Sequence, residues 1–235
     1  MDIETTIKQH FDNNNIQLTQ TQLKDFVTYY NLLIEWNEKF NLTAITDLDE
    51  VVEKHFIDSL ACLDKLSPDQ KVVDIGAGAG FPSIPLCIMN RDLNFMLIDS
   101  VNKKVTFLQE VIKVLKLTKT VAIHSRIEDI ANNEMYREKF DVCVSRAVAK
   151  LNTLVEYSLP LLNVGGYMYA YKSKLVDEEV EEANKAIKTL GGKVESIDKF
   201  DLGGQKRAIV NIIKIKNTPP TYPRKNNKAR TQPIV

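Results

Sequence analysis

Lys71-Val72-Val73-Asp74-Ile75-Gly76-Ala77-Gly78-Ala79-Gly80-Phe81-Pro82 is the stretch that decides the fold. Val72, Val73 and Ile75 form the β-branched run of a short strand covered on both faces. Glycines at alternate positions then remove the side chains that would hold a ligand off the backbone. Pro82 and Pro85 suit the opening turn of a helix, where a missing N–H costs little. Strand, glycine hairpin and helix start together present free amides beyond the strand tip, a place to bind a cofactor. The spacing narrows the choice. A dinucleotide loop has glycines at its first, third and sixth places, and here the sixth place is Phe81. A Walker loop ends in Gly-Lys-Ser/Thr, which is absent.

Asp74-x-Gly76-x-Gly78-x-Gly80 resembles the first motif of the class I S-adenosylmethionine methyltransferases, whose ligand carries no pyrophosphate. The plain alternative is a tight turn rich in glycine. Only nine glycines occur in the chain, and three fall here behind a strand-forming run, which favours a site.

Upstream, residues 1–66 read as a helical extension. Thr19 and Gln22 form a capping box, followed by Leu23, Phe26, Val27, Tyr30, Leu33 and Ile34 at helical spacing. Asp47 and Glu50 form a second box, opening a helix with Val52, His55, Phe56, Ser59, Leu60 and Leu63 inward. From Lys71 strands and helices alternate, the pattern of a parallel sheet covered on both sides. Strands are expected near 71–75, 94–98, 120–124, 140–145, 166–172, 193–200 and 207–215, with helices notably at 103–116 and 175–190. Little but Gly203-Gly204 separates the last two strands, which predicts an antiparallel hairpin at one sheet edge. The expected fold class is α/β: a Rossmann-like, seven-stranded methyltransferase core over residues 67–216 with an N-terminal helical extension. Residues 217–235, with four prolines and no periodicity, are expected to be an extended basic arm.

The chain has 235 residues, 44% hydrophobic and 26% charged, as expected of a globular protein with a sizeable core. No apolar run reaches the length of a membrane span, and the polar start lacks a secretory apolar stretch. A cytoplasmic monomer without membrane contact is expected. Three scattered cysteines and three scattered histidines suggest neither a disulfide framework nor a metal site. Charge is balanced overall at 31 basic and 31 acidic residues, but unevenly placed. After Asp201 there are eight basic residues and no acidic one, which leaves the rest of the chain at −8. A basic end on an acidic body suggests a polyanionic partner, and a solubilising tail is the alternative.

Asp99 closes the second strand, where a carboxylate accepts from vicinal hydroxyls as a ribose clamp. Its other reading is an N-cap for the following helix. Arg126-Ile127-Glu128 follows the third strand, placing amides and a carboxyl where an adenine edge could lie. Arg146 stands at the tip of the fourth strand, beside the position any transferred methyl would occupy; its other reading is a surface ion pair. Lys103, Lys104, Lys172, Lys174 and the basic tail, including Arg224 and Lys225, are candidates for phosphate contact. His55 and Asp58 read first as hydrogen-bonding pins between helices and sheet, and Trp36 with Phe40 as a packing pair.

Taken together, Trp36-Asn37-x-x-x-Asn41-Leu42-Thr43, Lys54-His55-Phe56-Ile57-Asp58-Ser59, the glycine loop through Phe81-Pro82-Ser83-Ile84-Pro85, Ile98-Asp99-Ser100, Ser125-Arg126-Ile127-Glu128 and Phe140-Asp141-x-x-x-Ser145-Arg146-Ala147 resemble the RsmG family, also called glucose-inhibited division protein B. These are bacterial small-subunit rRNA guanine-N7 methyltransferases. The resemblance runs from about Leu23 to Lys225. It implies S-adenosylmethionine as methyl donor, held at Gly76 and Phe81, at Ile127 and Glu128 around the adenine, and at Arg146. It also implies a guanine in the decoding-centre loop of 16S rRNA as target, met in naked RNA, a precursor particle or the mature small subunit. Tyr222-Pro223-Arg224-Lys225 resembles the C-terminal arm of one branch, but Asn227 and Ala229 depart from the glycine and proline usual there.

The residues agree with that target. Guanine N7 carries a lone pair at neutral pH, so no proton need leave and no general base is expected. Catalysis would rest on in-line positioning, with Arg146 as the organising residue. The alternative from another class is a ribosome-assembly factor that binds S-adenosylmethionine and docks on rRNA without catalysis.

Overall fold

The computed structural model describes residues 2–235. The chain opens with α1 (Ile3–Asn13) and α2 (Gln20–Phe40). The Thr19 hydroxyl accepts from the Gln22 N–H at 3.3 Å and the Gln22 side chain accepts from the Thr19 N–H at 2.8 Å, closing a reciprocal cap. Asp47 caps α3 (Leu48–Val51) by accepting from the Glu50 N–H at 3.1 Å. The regular helix expected beyond it does not form. The chain widens into a π-helical turn over Val52–Ile57 and then tightens into a 3-10 turn over Leu60–Lys65. Such irregular turns re-aim side chains, and here His55 and Asp58 reach the sheet tip.

Next come β1 (Lys71–Ile75), α4 (Ser83–Met89), β2 (Asn94–Asp99), α5 (Asn102–Val114), β3 (Thr120–His124), α6 (Ile127–Ala131), β4 (Phe140–Arg146) and α7 (Leu151–Ser158). They are followed by β5 (Leu162–Ser173), α8 (Val176–Thr189), β6 (Gly192–Leu202) and β7 (Gln205–Lys214). One seven-stranded sheet results, in the order β3-β2-β1-β4-β5-β7-β6. β1 to β5 are parallel, while β7 runs antiparallel between β5 and its hairpin partner β6. Strand order reverses between β1 and β4, which opens a crevice at their C-terminal ends.

Successive β1 residues feed opposite faces. Val72 joins Phe11, Phe26, Phe56, Leu97 and Phe107 on the face covered by the N-terminal helices, and Val73 and Ile75 join Leu154, Val155, Met168 and Ile187 on the other. The helical extension therefore shares a core with the sheet. Tyr29 of α2 is fully buried, and its hydroxyl donates to the Ala79 carbonyl in the glycine loop at 2.6 Å. Among the described residues no helix is long and apolar enough to cross a membrane.

The C-terminal segment differs from the extended arm expected. It folds back on the core and ends in α9 (Lys228–Thr231), with Ala229 fully buried. Arg137 anchors it by donating to the carbonyls of Tyr222 at 2.7 Å and Thr218 at 2.9 Å. The prolines remove donors from the segment, and side chains of the core satisfy its carbonyls instead.

Tyr29→Phe removes one buried donor and leaves the Ala79 carbonyl unpaired. Urea unfolding is expected to show a loss of about 1–2 kcal/mol with an unchanged slope.

Candidate active site

Two adjoining cavities open at the C-terminal ends of the strands, divided by Ala147, Val148 and Ala149 just beyond β4. The larger, about 710 Å³, is lined by His55, Asp58, Arg146, Tyr171 and Arg207 among others. The smaller, about 560 Å³, is lined by Gly76, Asp99, Lys104, Ile127, Glu128 and Arg230 among others.

Arg146 governs the first cavity. Its Nη1 donates to Asp58 Oδ2 at 2.7 Å and to the Lys54 carbonyl at 3.1 Å, and its Nη2 reaches His55 Nδ1 at 3.1 Å. His55 Nδ1 lies between this donor and the Lys54 carbonyl, an acceptor also at 3.1 Å, and Nε2 lies 3.0 Å from Thr43 Oγ1. Burial, followed by the Arg146 charge, lowers the His55 pKa to about 4 and keeps the ring neutral. That ring stacks on Phe81 at 4.4 Å, and the Arg146 guanidinium lies 5.0 Å from the Phe81 centroid. Asp58 is 5% exposed, and its second oxygen accepts from Arg207 Nε at 3.2 Å. Sequence reasoning missed Arg207 and Tyr171. Only the insertion of β7 between β5 and β6 brings Arg207 beside Arg146, and nothing near it in sequence signals that.

In the second cavity Asp99 Oδ2 accepts from the Gly78 N–H at 2.9 Å, and Oδ1 accepts from the Val101 N–H at 2.8 Å. The carboxylate thus ties the glycine loop to the start of α5 while still lining the cavity. Glu128 is 7% exposed, yet its carboxylate has no hydrogen-bond or ion-pair partner among the described residues. Its carboxylate lines the cavity, where a ligand amine or hydroxyl would donate to it. Of the glycine-loop residues expected at a cofactor, Gly76 lines this cavity, whereas Asp74, Gly78, Gly80 and Phe81 line neither. Asp74 is fully buried beneath the loop. Its Oδ2 accepts from the Ser83 hydroxyl, and its Oδ1 has no partner among the described residues. Burial pushes its pKa up to about 7, a cost that a positively charged ligand nearby would offset. An unpaired carboxylate on the cavity wall beside a glycine loop fits a nucleoside such as S-adenosylmethionine.

The expected phosphate contacts divide. Lys103, Lys174 and Lys225 are exposed and make no ion pair among the described residues, and Lys104 lines the second cavity. Two others are engaged within the protein. Lys172 is 8% exposed at its side chain and donates to Glu179 at 2.6 Å and the Ala149 carbonyl at 3.0 Å. Arg224 forks onto the fully buried Glu156 at 2.9 Å and 2.6 Å, contrary to the expectation of a free cation on the tail.

The family model described as rRNA small subunit methyltransferase G matches residues 22–210. The chain belongs to this family. A ribosomal RNA small subunit methyltransferase G of Desulforamulus reducens is 50% identical, covering 100% of this chain and 99% of that protein. One from Desulfitobacterium hafniense is 47% identical over 94% of this chain and 93% of that protein. Among solved structures, TYW2 of M. jannaschii in complex with AdoMet superposes with a TM-score of 0.58. At 18% identity over 73% of this chain and 80% of that one, it shares the fold alone. As a family member the chain is an rRNA methyltransferase, and S-adenosylmethionine is its methyl donor.

Asp74 makes stability pH-dependent. Its folded pKa is raised, so the native state holds the proton longer than the unfolded chain. The stability this contributes is full below the unfolded value near 3.8 and is lost as pH rises through about 7. Asp74→Asn is therefore expected to gain on the wild type between pH 5 and pH 8, by about 1–4 kcal/mol. Urea unfolding of both proteins at the two pH values checks this, and the opposing titration of His55 cancels in the difference.

Proposed function

We propose that the chain methylates N7 of a guanine in the decoding-centre loop of 16S rRNA. The second cavity takes the donor, and the first takes the guanine. The observation that carries this reading is that the two cavities share the wall Ala147–Ala149, so ligands in them would meet at the tip of β4. Gly76, Asp99, Ile127 and Glu128 would hold the donor; Gly78 supports it by fixing Asp99. When bound, S-adenosylmethionine supplies an electrophilic methyl on a sulfonium.

Guanine N7 offers its ring lone pair without losing a proton, so no residue has to act as a base. The first cavity holds none in reserve. His55 Nδ1 is already in contact with Arg146 and the Lys54 carbonyl, and the Asp58 carboxylate is engaged by two guanidiniums. What the residues provide is position. A guanidinium can donate to guanine O6 while leaving the adjacent N7 free, and Arg146 and Arg207 are the two in this cavity. The methylated base carries a positive charge, which the same guanidiniums repel, so product leaves more readily than substrate. Lys103, Lys174 and Lys225 take RNA phosphates, giving affinity without sequence information.

The test is methyl transfer from labelled S-adenosylmethionine to naked 16S rRNA, precursor particles and mature small subunits, with the modified base mapped. One N7-methylated guanine in the decoding-centre loop is expected. Arg146→Ala should lower kcat/KM about 100-fold through lost alignment. A methyl on another base or ring position overturns the assignment, and no incorporation into any substrate leaves a docking factor.

A further inference from the structure

The folded C-terminal arm completes the second cavity. Beside the core residues, that cavity is lined by Asn227 and Arg230, both beyond residue 210, where the family match ends. They approach the end occupied by Glu128 and Tyr157. The Tyr157 hydroxyl donates to Asn227 Oδ1 at 3.4 Å, and Arg230 lies close enough to act electrostatically on Tyr157, as Glu128 does.

The arm is placed there by specific contacts. Glu156, fully buried in α7, accepts from the Arg224 backbone N–H at 2.9 Å as well as from both arms of its guanidinium fork. Thr153, also on α7, donates to the Ala229 carbonyl at 3.0 Å, and Asn132 donates to the Pro223 carbonyl at 3.1 Å. Three side chains of the core thus hold the arm on both sides of Asn227, which itself adopts a left-handed backbone at φ 59°. A solubilising tail would need none of these contacts. A phosphate contact by Arg224 would need its guanidinium free of Glu156.

We propose that the arm is part of the cofactor site: Asn227 and Arg230 bind the nucleoside end of the methyl donor, and Glu156, through Arg224, is the positioning residue that seats them. This rests on the second cavity being the donor cavity. The chemistry suits an adenine edge, which presents both a donor amine and acceptor ring nitrogens. Asn227 offers an amide with both functions, and Arg230 offers donors.

Calorimetric titration of the full-length protein with S-adenosylhomocysteine tests this. Asn227→Gly keeps the left-handed backbone while deleting the side chain, and Arg230→Ala removes an exposed group, so neither disturbs the core. The pair together should weaken binding about tenfold, corresponding to one or two lost hydrogen bonds. Lys228→Ala, on the same helical turn but outside the cavity, should bind as the wild type does. Glu156→Gln should also weaken binding, through loss of the clasp. Wild-type affinity in the Asn227→Gly/Arg230→Ala protein overturns the inference and leaves the donor cavity standing, and weakened rRNA binding in that case would make the arm an RNA contact. A wild-type protein that binds no S-adenosylhomocysteine overturns the donor cavity and this inference with it.

Discussion

One buried carboxylate holds the working end of this molecule together. Asp58 comes from the irregular turns that close the N-terminal extension, Arg146 from the end of β4, and Arg207 from the inserted strand β7. Three elements distant in sequence meet at one side chain. Burying such a cluster adds little net stability, because desolvation offsets most of the attraction. What it fixes is geometry: either guanidinium left without the carboxylate would lose the partner that joins it to the N-terminal turns. The helical extension and the sheet are thereby locked in one relation, and the first cavity exists only in that relation.

The second constraint is the interlock between the loops after β1 and β4. A Cβ on Gly76 would lie 2.5 Å from Val148 Cγ2, and a Cβ on Gly80 would lie 2.6 Å from Ile84 and 2.9 Å from the Tyr29 hydroxyl. Those two glycines answer to the protein's own packing. Gly78 differs, since its missing side chain would meet nothing closer than 3.9 Å, and its N–H holds Asp99 in place. One loop therefore does two jobs. Two glycines let Val148 and Tyr29 close over it, and one leaves open space beside the cavity.

This division explains what was legible beforehand. The alternation of strands and helices, the capping box at Thr19 and the hairpin at the sheet edge are local signals, set by periodicity and turn chemistry within a few residues. That Asp99, Ile127, Glu128 and Arg146 line the cavities at the strand ends was legible because a parallel sheet delivers those ends to one side. The π-helical turn at Val52–Ile57 was not, since nothing in its composition distinguishes it from a regular helix. Arg207 and Tyr171 were missed because their relevance arises from strand order, which joins residues more than 100 positions from the N-terminal turns that meet them. Asp74 was expected at the cofactor, and it lies fully buried, lining neither cavity. The motif marks its position along the chain but not that its carboxylate points beneath the loop.

The C-terminal arm makes the same point with charge. Eight basic residues without an acidic neighbour suggest a polyanion, and composition goes no further. The fold then spends these charges unequally. Lys214 is fully buried and donates to Glu138 at 2.7 Å and to the carbonyls of Leu159 and Leu162, so it braces the last strand. Arg207 enters the first cavity, Arg224 clasps Glu156, and Arg230 reaches the second cavity. Four cations of the basic tail are thus committed to the protein's own architecture or cavities, which weakens any estimate of RNA affinity made by counting charge. An ion pair with a fully buried carboxylate is not exchanged for a hydrated phosphate at no cost, because the abandoned Glu156 would be left without its partner in the core. Of the arm's cations, Lys225 and Lys228 remain exposed, so an RNA phosphate would meet these lysines before the arginines that pack against the core and the second cavity.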